Sequence, residues 1–332
     1  MTVRIGVIGV GLAGSAHVRT INDSVVGGEI TALADIDITR AEALAKGCPG
    51  PVTVFDDAEA LIRSELVDAV VITSIAPTHA ELVLACIAQG KPVFCEKPLA
   101  VTADDCERIV EAEIRSGRHL VQVGFMRRFD PAYRDLRAII REDAIGEVVA
   151  IHAAHRNMRV PEHFTSEMHT TEALIHEIDV FRWLLDDEYA QVLVEGTPDA
   201  SGRLIDPQFV RFRTEGGRHI DVEVFVNAEY GYDITCEVVG RNGTAALPGP
   251  SAPPLNAGGI EGVRHHADFR TRFAGAYRDE LVEWVAGIVR GEVRGPDSWD
   301  GLVAAIVSDA AVSSLHSGVA QAIELPDKPN FY

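Results

Sequence analysis

The sequence predicts an α/β protein with a parallel, doubly wound sheet first and a largely antiparallel sheet second. Three observations carry this. Over the first 123 residues, short apolar strands alternate with amphipathic helices, the pattern of a parallel sheet covered on both faces. After Gly124 the strands follow one another, separated by turn residues such as "EGG" and "RNG", which is the pattern of antiparallel pairing. A glycine cluster joins the first strand to the first helix.

In the parallel half the strands are "VRIGVIG", "EITALADI", "PVTVF", "VDAVVIT", "KPVFCE" and "HLVQVG". Helices lie between them. One, "TADDCERIVEAEIRSG", starts with Thr102 as N-cap and stops at Gly117. Beyond Gly124, the helix "PAYRDLRAIIRED" leads into a long strand, "GEVVAIHAAHRN". The stretch "TTEALIHEIDVFRWLLDD" (170–187) reads as a helix. At about 100° per residue, Leu174, Ile178, Phe181 and Leu185 share one face. Glu172, His176, Asp179 and Trp183 share the opposite one. Its borders are Ile175 and Val180 rather than Lys, Glu or Gln, so this polar stripe is expected to face something enclosed. The strands "AQVLVEGT", "QFVRFRT", "HIDVEVFVNA" and "YDITCEVVGRNGTAAL" follow, and helices near 271–290 and 299–317 close the chain. "PGPSAPPLNAGG" (248–259) reads as a loop.

Length, charge and cysteines bound the function. The chain has 332 residues, enough for about two domains. Hydrophobic residues make up 47%, yet no apolar run approaches the ~18 residues of a membrane span, so a soluble globular protein is expected. A formal net charge of −20 disfavours nucleic-acid and anionic-membrane partners, which need basic patches. The five cysteines form no C-x-x-C pair, and "MTVRIGVIGVG" runs into a strand without a signal-peptide cleavage site. Both point to a reducing, cytoplasmic setting.

The glycine cluster "GVIGVGLAGSAH" places Gly9, Gly11 and Gly14 in a G-x-G-x-x-G pattern, with Leu12 and Ala13 between the last two. The pattern alone is weak. Here it follows an apolar strand and opens a helix, and Asp35 ends the next strand about 20 residues on. Such glycines make a tight turn and let the backbone approach a pyrophosphate at a helix N-terminus. Asp35 would accept hydrogen bonds from the adenosine ribose and repel a 2′-phosphate, so the expected cofactor is NAD rather than NADP. Asp37 is a nearby alternative, but Asp35 directly ends the apolar run.

"FCEKPLA" puts Glu96, Lys97 and Pro98 at the C-terminal end of the fifth strand, the edge where open α/β sheets bind ligands. Lys97 there is suited to donate to a substrate hydroxyl and stabilise developing alkoxide charge. Oxidising an alcohol with NAD also needs a base for the hydroxyl proton. Histidine suits neutral pH, and His176 lies on the enclosed stripe. Glu172, one helical turn earlier, would orient its ring and stabilise the imidazolium; Asp179, a turn later, would bond the substrate or support the site. His163, His169, Glu172, His176 and Asp179 are close in sequence, but one histidine between two acids on a helix face is a poor zinc site, and no metal is expected. His265 and His266 read as surface residues of a polar loop.

Together these residues resemble the glucose–fructose oxidoreductase/inositol dehydrogenase (Gfo/Idh/MocA) family along the whole chain. The matching segments are "GVGLAG", "CEKPL", "GFMRRFD", "HRN", "LIHEIDVFRWLL", "YGYDITCEVVG", "RFAGAYRDELVEWV" and "SWDGLVAAIVSDA". The narrower signals "GFMRRFD", "AAHRN" and "GYDI" are most similar to bacterial NAD-dependent inositol dehydrogenases. The resemblance implies a Rossmann domain over 1–123. Over 124–332 it implies a substrate and assembly domain with a large, open-faced, mostly antiparallel sheet, whose C-terminal helices are free to pack back on the first domain. It implies a homotetramer assembled through that open face, catalytic Lys97 and His176, and contacts from Arg127, His155, Asn157 and Tyr232 to ring hydroxyls. His155 and Asn157 alternate on one strand face and both donate and accept hydrogen bonds, as a polyol requires. Inositol dehydrogenases usually carry Asp where this chain has Glu172, which moves the carboxylate by about 1.5 Å.

The resulting expectation is oxidation of myo-inositol to 2-keto-myo-inositol. Other substrates on the same scaffold are scyllo-inositol, chiro-inositol or a pyranose such as glucose. A non-catalytic NAD-binding sensor is the reading from another class, opposed by the presence of Lys97 and His176. An NAD-dependent glycosidase has no supporting feature.

Overall fold

The structure is a computed structural model that describes residues 2–249 and 254–332. It divides into two compact units. One comprises Met1–Met126, Gly275–Ala305 and Asp327–Tyr332; the other comprises Arg127–Ala274 and Ile306–Pro326.

The first unit runs β1 (Val3–Ile8), α1 (Leu12–Ser24), β2 (Gly28–Ala34), α2 (Ile38–Ala45), β3 (Thr53–Phe55), α3 (Ala58–Arg63), β4 (Ala69–Ile72), α4 (His79–Ala88), β5 (Val93–Glu96), α5 (Ala103–Ser116) and β6 (Val121–Gly124). The six strands pair in the order β3-β2-β1-β4-β5-β6, all parallel. This is the doubly wound Rossmann order, with its switch point at β1/β4. The central strands are buried on both faces: Ala69–Ile72 are all buried, as their unbroken apolar run requires. Local signals set the helix ends. The Thr102 side chain accepts from the Asp105 amide at the start of α5, and Gly117 ends the helix in a left-handed conformation.

The second unit runs α6 (Pro131–Arg141), β7 (Val148–Arg156), a π-helical segment His169–Leu174, α7 (Ile175–Leu185), β8 (Tyr189–Pro198), β9 (Ile205–Thr214), β10 (His219–Phe225), β11 (Asp233–Gly240), β12 (Gly243–Ala246), β13 (Pro254–Ala257), β14 (Ile260–Val263) and α8 (Phe269–Arg272). The chain closes with α9 (Ala274–Arg290), α10 (Ser298–Ser317) and β15 (Gln321–Ala322). Leu281, Trp284 and Val285 of α9 join the core of the first unit with Val7, Ile30 and Phe94. The division between units falls within α10.

Seven strands of the second unit pair in the order β12-β11-β7-β10-β9-β8-β15. Every pairing is antiparallel except β7 with β10. In β9 burial alternates along the strand: Gln208, Val210, Phe212 and Thr214 point inward, and Phe209, Arg211 and Arg213 point out. The outward face carries ion pairs such as Arg156 with Glu223 (2.7 Å) and His152 with Asp221 (3.4 Å), and Phe209 stays 46% exposed.

Two local expectations change. Part of the stretch read as a loop at 248–259 pairs instead, β13 against β14, as a two-stranded ribbon. Residues 250–253 of that stretch lie outside the described residues. His265 and His266 are half-buried rather than surface residues, because the His266 carbonyl accepts the Tyr232 amide (2.7 Å). Among the described residues, no helix is long and apolar enough to cross a membrane.

Candidate active site

The first unit builds a cofactor cleft from the β1–α1 turn. Gly9 has φ +86, and a Cβ there would lie 2.6 Å from the Ser74 backbone. A Cβ on Gly14 would meet the Gly9 carbonyl oxygen at 1.9 Å. These two glycines permit the turn and the helix–strand contact. Gly11 differs: a Cβ there would meet nothing within 4 Å. Its open side is the space a pyrophosphate needs. Gly11 is the N-cap of α1 and supplies no side-chain cap, so the first amides of α1, from Leu12, Ala13 and Gly14, are available to an anion.

Asp35 stands at the far wall of the same cleft. Its carboxylate accepts from the Val10 amide (2.7 Å) and the Asp37 amide (2.8 Å), which fix its orientation. A carboxylate has about four acceptor sites, so capacity for ribose hydroxyls remains. Asp37 is instead engaged in capping α2, accepting from the Arg40 amide. Ile36 and Ile75 are among the cleft residues that the sequence analysis did not single out. Ile36 is 102% exposed and Ile75 is 72% exposed, yet both line the cleft. Solvated isoleucines at a ligand edge suit the faces of an adenine ring. The cradle therefore fits a dinucleotide without a 2′-phosphate.

Arg40 also lines this cleft, with a guanidinium nitrogen 3.8 Å from Asp35. That pairing gives a test. Like-charge juxtaposition costs several kcal/mol, so wild-type kcat/KM is expected to favour NAD over NADP by on the order of 10²-fold. Asp35→Ser removes the repulsion and releases Arg40 toward a phosphate, so the preference should collapse or invert. Equal use of both cofactors by the wild type would contradict the assignment.

At the end of β5, Glu96 and Lys97 are half-buried, and the Lys97–Pro98 peptide is cis. The Glu96 carboxylate takes His17 Nε2 at 2.6 Å and the Lys97 amide at 3.3 Å. Gly124 makes room for it; a Cβ there would lie 3.0 Å from Glu96 Oε2.

In the second unit the π-helical segment carries Glu172, half-buried, and α7 carries His176, 8% exposed. A π turn is wider than an α turn. It re-aims Glu172 relative to the 100° spacing assumed from sequence. Of the polar stripe, His176 and Asp179 are buried while Glu172 and Trp183 are half-buried, and α7 is buried all round from Ile175 to Phe181.

Glu177 was not singled out from sequence, yet it organises the unit. It is 1% exposed and forms an ion pair with Arg127, also 1% exposed. Burial pushes the Glu177 carboxyl up, but Arg127 and His155 outweigh this and hold it below its ordinary value. Burial likewise works against the Arg127 charge, and Glu177 more than restores it. His155 Nδ1 lies 3.0 Å from the carboxylate. The same nitrogen lies 3.2 Å from Arg127 Nη2, so it sits between a carboxylate acceptor and a guanidinium donor. Tyr232 packs edge-on against the His155 ring at 5.8 Å. Burial pushes its phenol up to about 12, so it stays a neutral donor and acceptor.

The other predicted residues spread around this knot. Asp179, 2% exposed, receives Arg128 Nε at 2.9 Å in a two-point pair. Asn157 follows β7, and its amide donates to the Phe225 carbonyl (2.9 Å). His169 lies 3.1 Å from Asp206, and His163 is exposed.

Comparison with known proteins agrees with both units. Residues 3–125 match the model of the oxidoreductase family with an NAD-binding Rossmann fold, and residues 133–246 match the GFO/IDH/MocA C-terminal domain. The chain is 48% identical to inositol 2-dehydrogenase 1 of Saccharopolyspora erythraea, covering 100% of this chain and 99% of that one. It is 46% identical to inositol 2-dehydrogenase of Pseudomonas fluorescens, covering 100% of both. A crystal structure of myo-inositol dehydrogenase from Lactobacillus casei, in complex with NAD(H) and myo-inositol, superposes with a TM-score of 0.97 at 35% identity over 100% of both chains. The chain belongs to the GFO/IDH/MocA oxidoreductase family.

Proposed function

We propose that the protein is an NAD-dependent inositol 2-dehydrogenase, which oxidises the 2-hydroxyl of myo-inositol to a ketone. The observation that carries this is likeness over the full length: 48% identity to one inositol 2-dehydrogenase, and a TM-score of 0.97 to a myo-inositol dehydrogenase solved with its cofactor and substrate. When bound, NAD supplies the hydride acceptor.

The roles of this chain's residues follow from their chemistry. Gly11, Leu12, Ala13 and Gly14 hold the pyrophosphate, with Gly9 shaping the turn, and Asp35 holds the adenosine ribose. Glu96 and Lys97 complete the cofactor end. Lys97 donates to the reacting hydroxyl and stabilises the alkoxide as its proton leaves. His176 takes that proton, and Glu172 stabilises the imidazolium. His155, Asn157 and Tyr232 meet the remaining ring hydroxyls. Arg127 acts behind them, through Glu177, because its guanidinium is spent on a buried carboxylate. Asp179, paired with Arg128, supports the substrate wall.

A screen of NADH formation across myo-, scyllo- and chiro-inositol and glucose tests the substrate. The highest kcat/KM is expected with myo-inositol. A clear preference for scyllo-inositol or glucose would reassign the substrate while keeping the reaction class.

We also propose that the enzyme is a cytoplasmic homotetramer. The five free cysteines support a reducing compartment. The outward face of the seven-stranded sheet, with Phe209 exposed among paired charges, supports assembly through that face. Light scattering at micromolar concentration should return four times the chain mass of 35.9 kDa. A monomer would contradict it.

A further inference from the structure

Glu280 of α9 is 0% exposed, and neither of its carboxyl oxygens has a hydrogen-bond partner. Such a group costs several kcal/mol if charged and unpaired. It is not isolated. The terminal atoms of Glu280, Glu96 and His17 lie within 4.8 Å of one another. They come from α9, β5 and α1, three elements of the first unit. Phe94 stacks edge-on against His17 at 5.6 Å, and Tyr277 lies at 6.0 Å, so the surroundings are largely apolar.

We infer that Glu280 is a positioning residue for Lys97: its neutral carboxyl donates a hydrogen bond to Glu96, and Glu96 in turn fixes the Lys97 backbone. The inference rests on the role proposed above for Lys97. The geometry runs in one direction. Glu96 Oε2 accepts the Lys97 amide, and Oε1 takes His17 Nε2. Glu96 is therefore the hinge of the Glu-Lys-Pro turn, and His17 holds it from one side. The Glu280 carboxyl lies within 4.8 Å of the same carboxylate and has no other partner, so the inferred bond needs only a local adjustment of its side chain. Burial, reinforced by the neighbouring Glu96 charge, holds the Glu280 carboxyl well above the ordinary carboxylate range. Two ionised carboxylates at this separation in an apolar site would repel strongly; one neutral and one charged bond each other.

The same three residues invite a divalent-cation reading. His17 argues against it. Its Nε2 sits 2.6 Å from Glu96, a hydrogen-bond distance that already pairs two of the three groups, and an ion would have to displace that bond.

Glu280→Gln keeps the shape and the donor while abolishing ionisation. Glu280→Leu keeps neutrality and removes the donor. The inference expects Glu280→Gln to retain kcat within about twofold, and Glu280→Leu to lose about tenfold or more in kcat. The dissociation constant for NADH should change much less than kcat in both. It also expects the wild type at neutral pH to show a carboxylic-acid carbonyl band in the infrared, absent from Glu280→Gln. That band is read without substrate and survives as a test if Glu280→Leu does not fold. Four results would overturn the inference: no acid band in the wild type, equal losses in both variants, full kcat in both, or one bound metal per chain that Glu280→Gln removes. A wild type that bears the band but does not oxidise inositol would instead overturn the functional assignment.

Discussion

His176→Ala is expected to lower kcat by about 10²–10⁴-fold while NAD binding is retained, and Lys97→Ala to do the same. In the proposed mechanism both side chains act on the substrate hydroxyl and neither on the adenosine end of the dinucleotide. Removing His176 leaves the hydroxyl proton without an acceptor. Removing Lys97 leaves the developing alkoxide without its cation. Both losses fall on kcat and kcat/KM together, because the interactions strengthen in the transition state. Glu172→Gln sorts the supporting acid. If its charge stabilises the imidazolium, kcat falls much more than KM rises, and the base limb of the pH profile moves down, since a lost anion makes the imidazolium easier to deprotonate. Glu172→Asp keeps the charge and should stay active. Near-normal kcat in His176→Ala at neutral pH would place the base elsewhere.

Glu177→Gln is expected to destabilise the fold by about 3–5 kcal/mol, because it strands the buried Arg127 guanidinium without its counter-charge. The double variant Arg127→Met/Glu177→Met should recover most of that loss, since an apolar pair of similar size carries no charge into the interior. Urea unfolding of the wild type and the two variants measures both effects. The pair also sets a direction with pH. The Glu177 carboxyl is held below its ordinary value in the folded state. Its contribution is complete above the ordinary carboxylate range and is lost as pH falls through the lowered value. A Glu177→Gln single variant as stable as the wild type would show that Arg127 does not depend on it.

Much of this was legible in the sequence, and the parts that were not share a cause. The parallel unit is written locally. Each strand is an apolar run, each helix has its own period, and Thr102 and Gly117 mark the ends of α5 by residue type alone. The enclosure of the helix around His176 was legible too, because Ile175 and Val180 border its polar stripe. The π turn was not, since a 100° template was laid over residues that do not follow it. Glu177 was passed over because its meaning lies in Arg127, fifty positions away, and no spacing rule links the two. Glu280 escaped for the same reason: its neighbours sit on β5 and α1. The parallel pairing of β7 with β10 interrupts the antiparallel order only through space. Proline in the 248–259 stretch read as loop, although Pro254 pairs with Val263 at the end of a short ribbon. Ile36 ends the segment "EITALADI" and Ile75 lies two residues beyond "VDAVVIT", and neither position signals the exposure at the cleft that the structure shows.

The central claim is that this chain moves a hydride from C2 of an inositol ring to NAD. The most direct measurement uses myo-inositol carrying deuterium at C2. The account predicts NADH that contains the deuterium, one ketone per NADH, and a slower turnover than with unlabelled substrate if hydride transfer limits the rate. NADH without deuterium, or no NADH from myo-inositol at all, would contradict it.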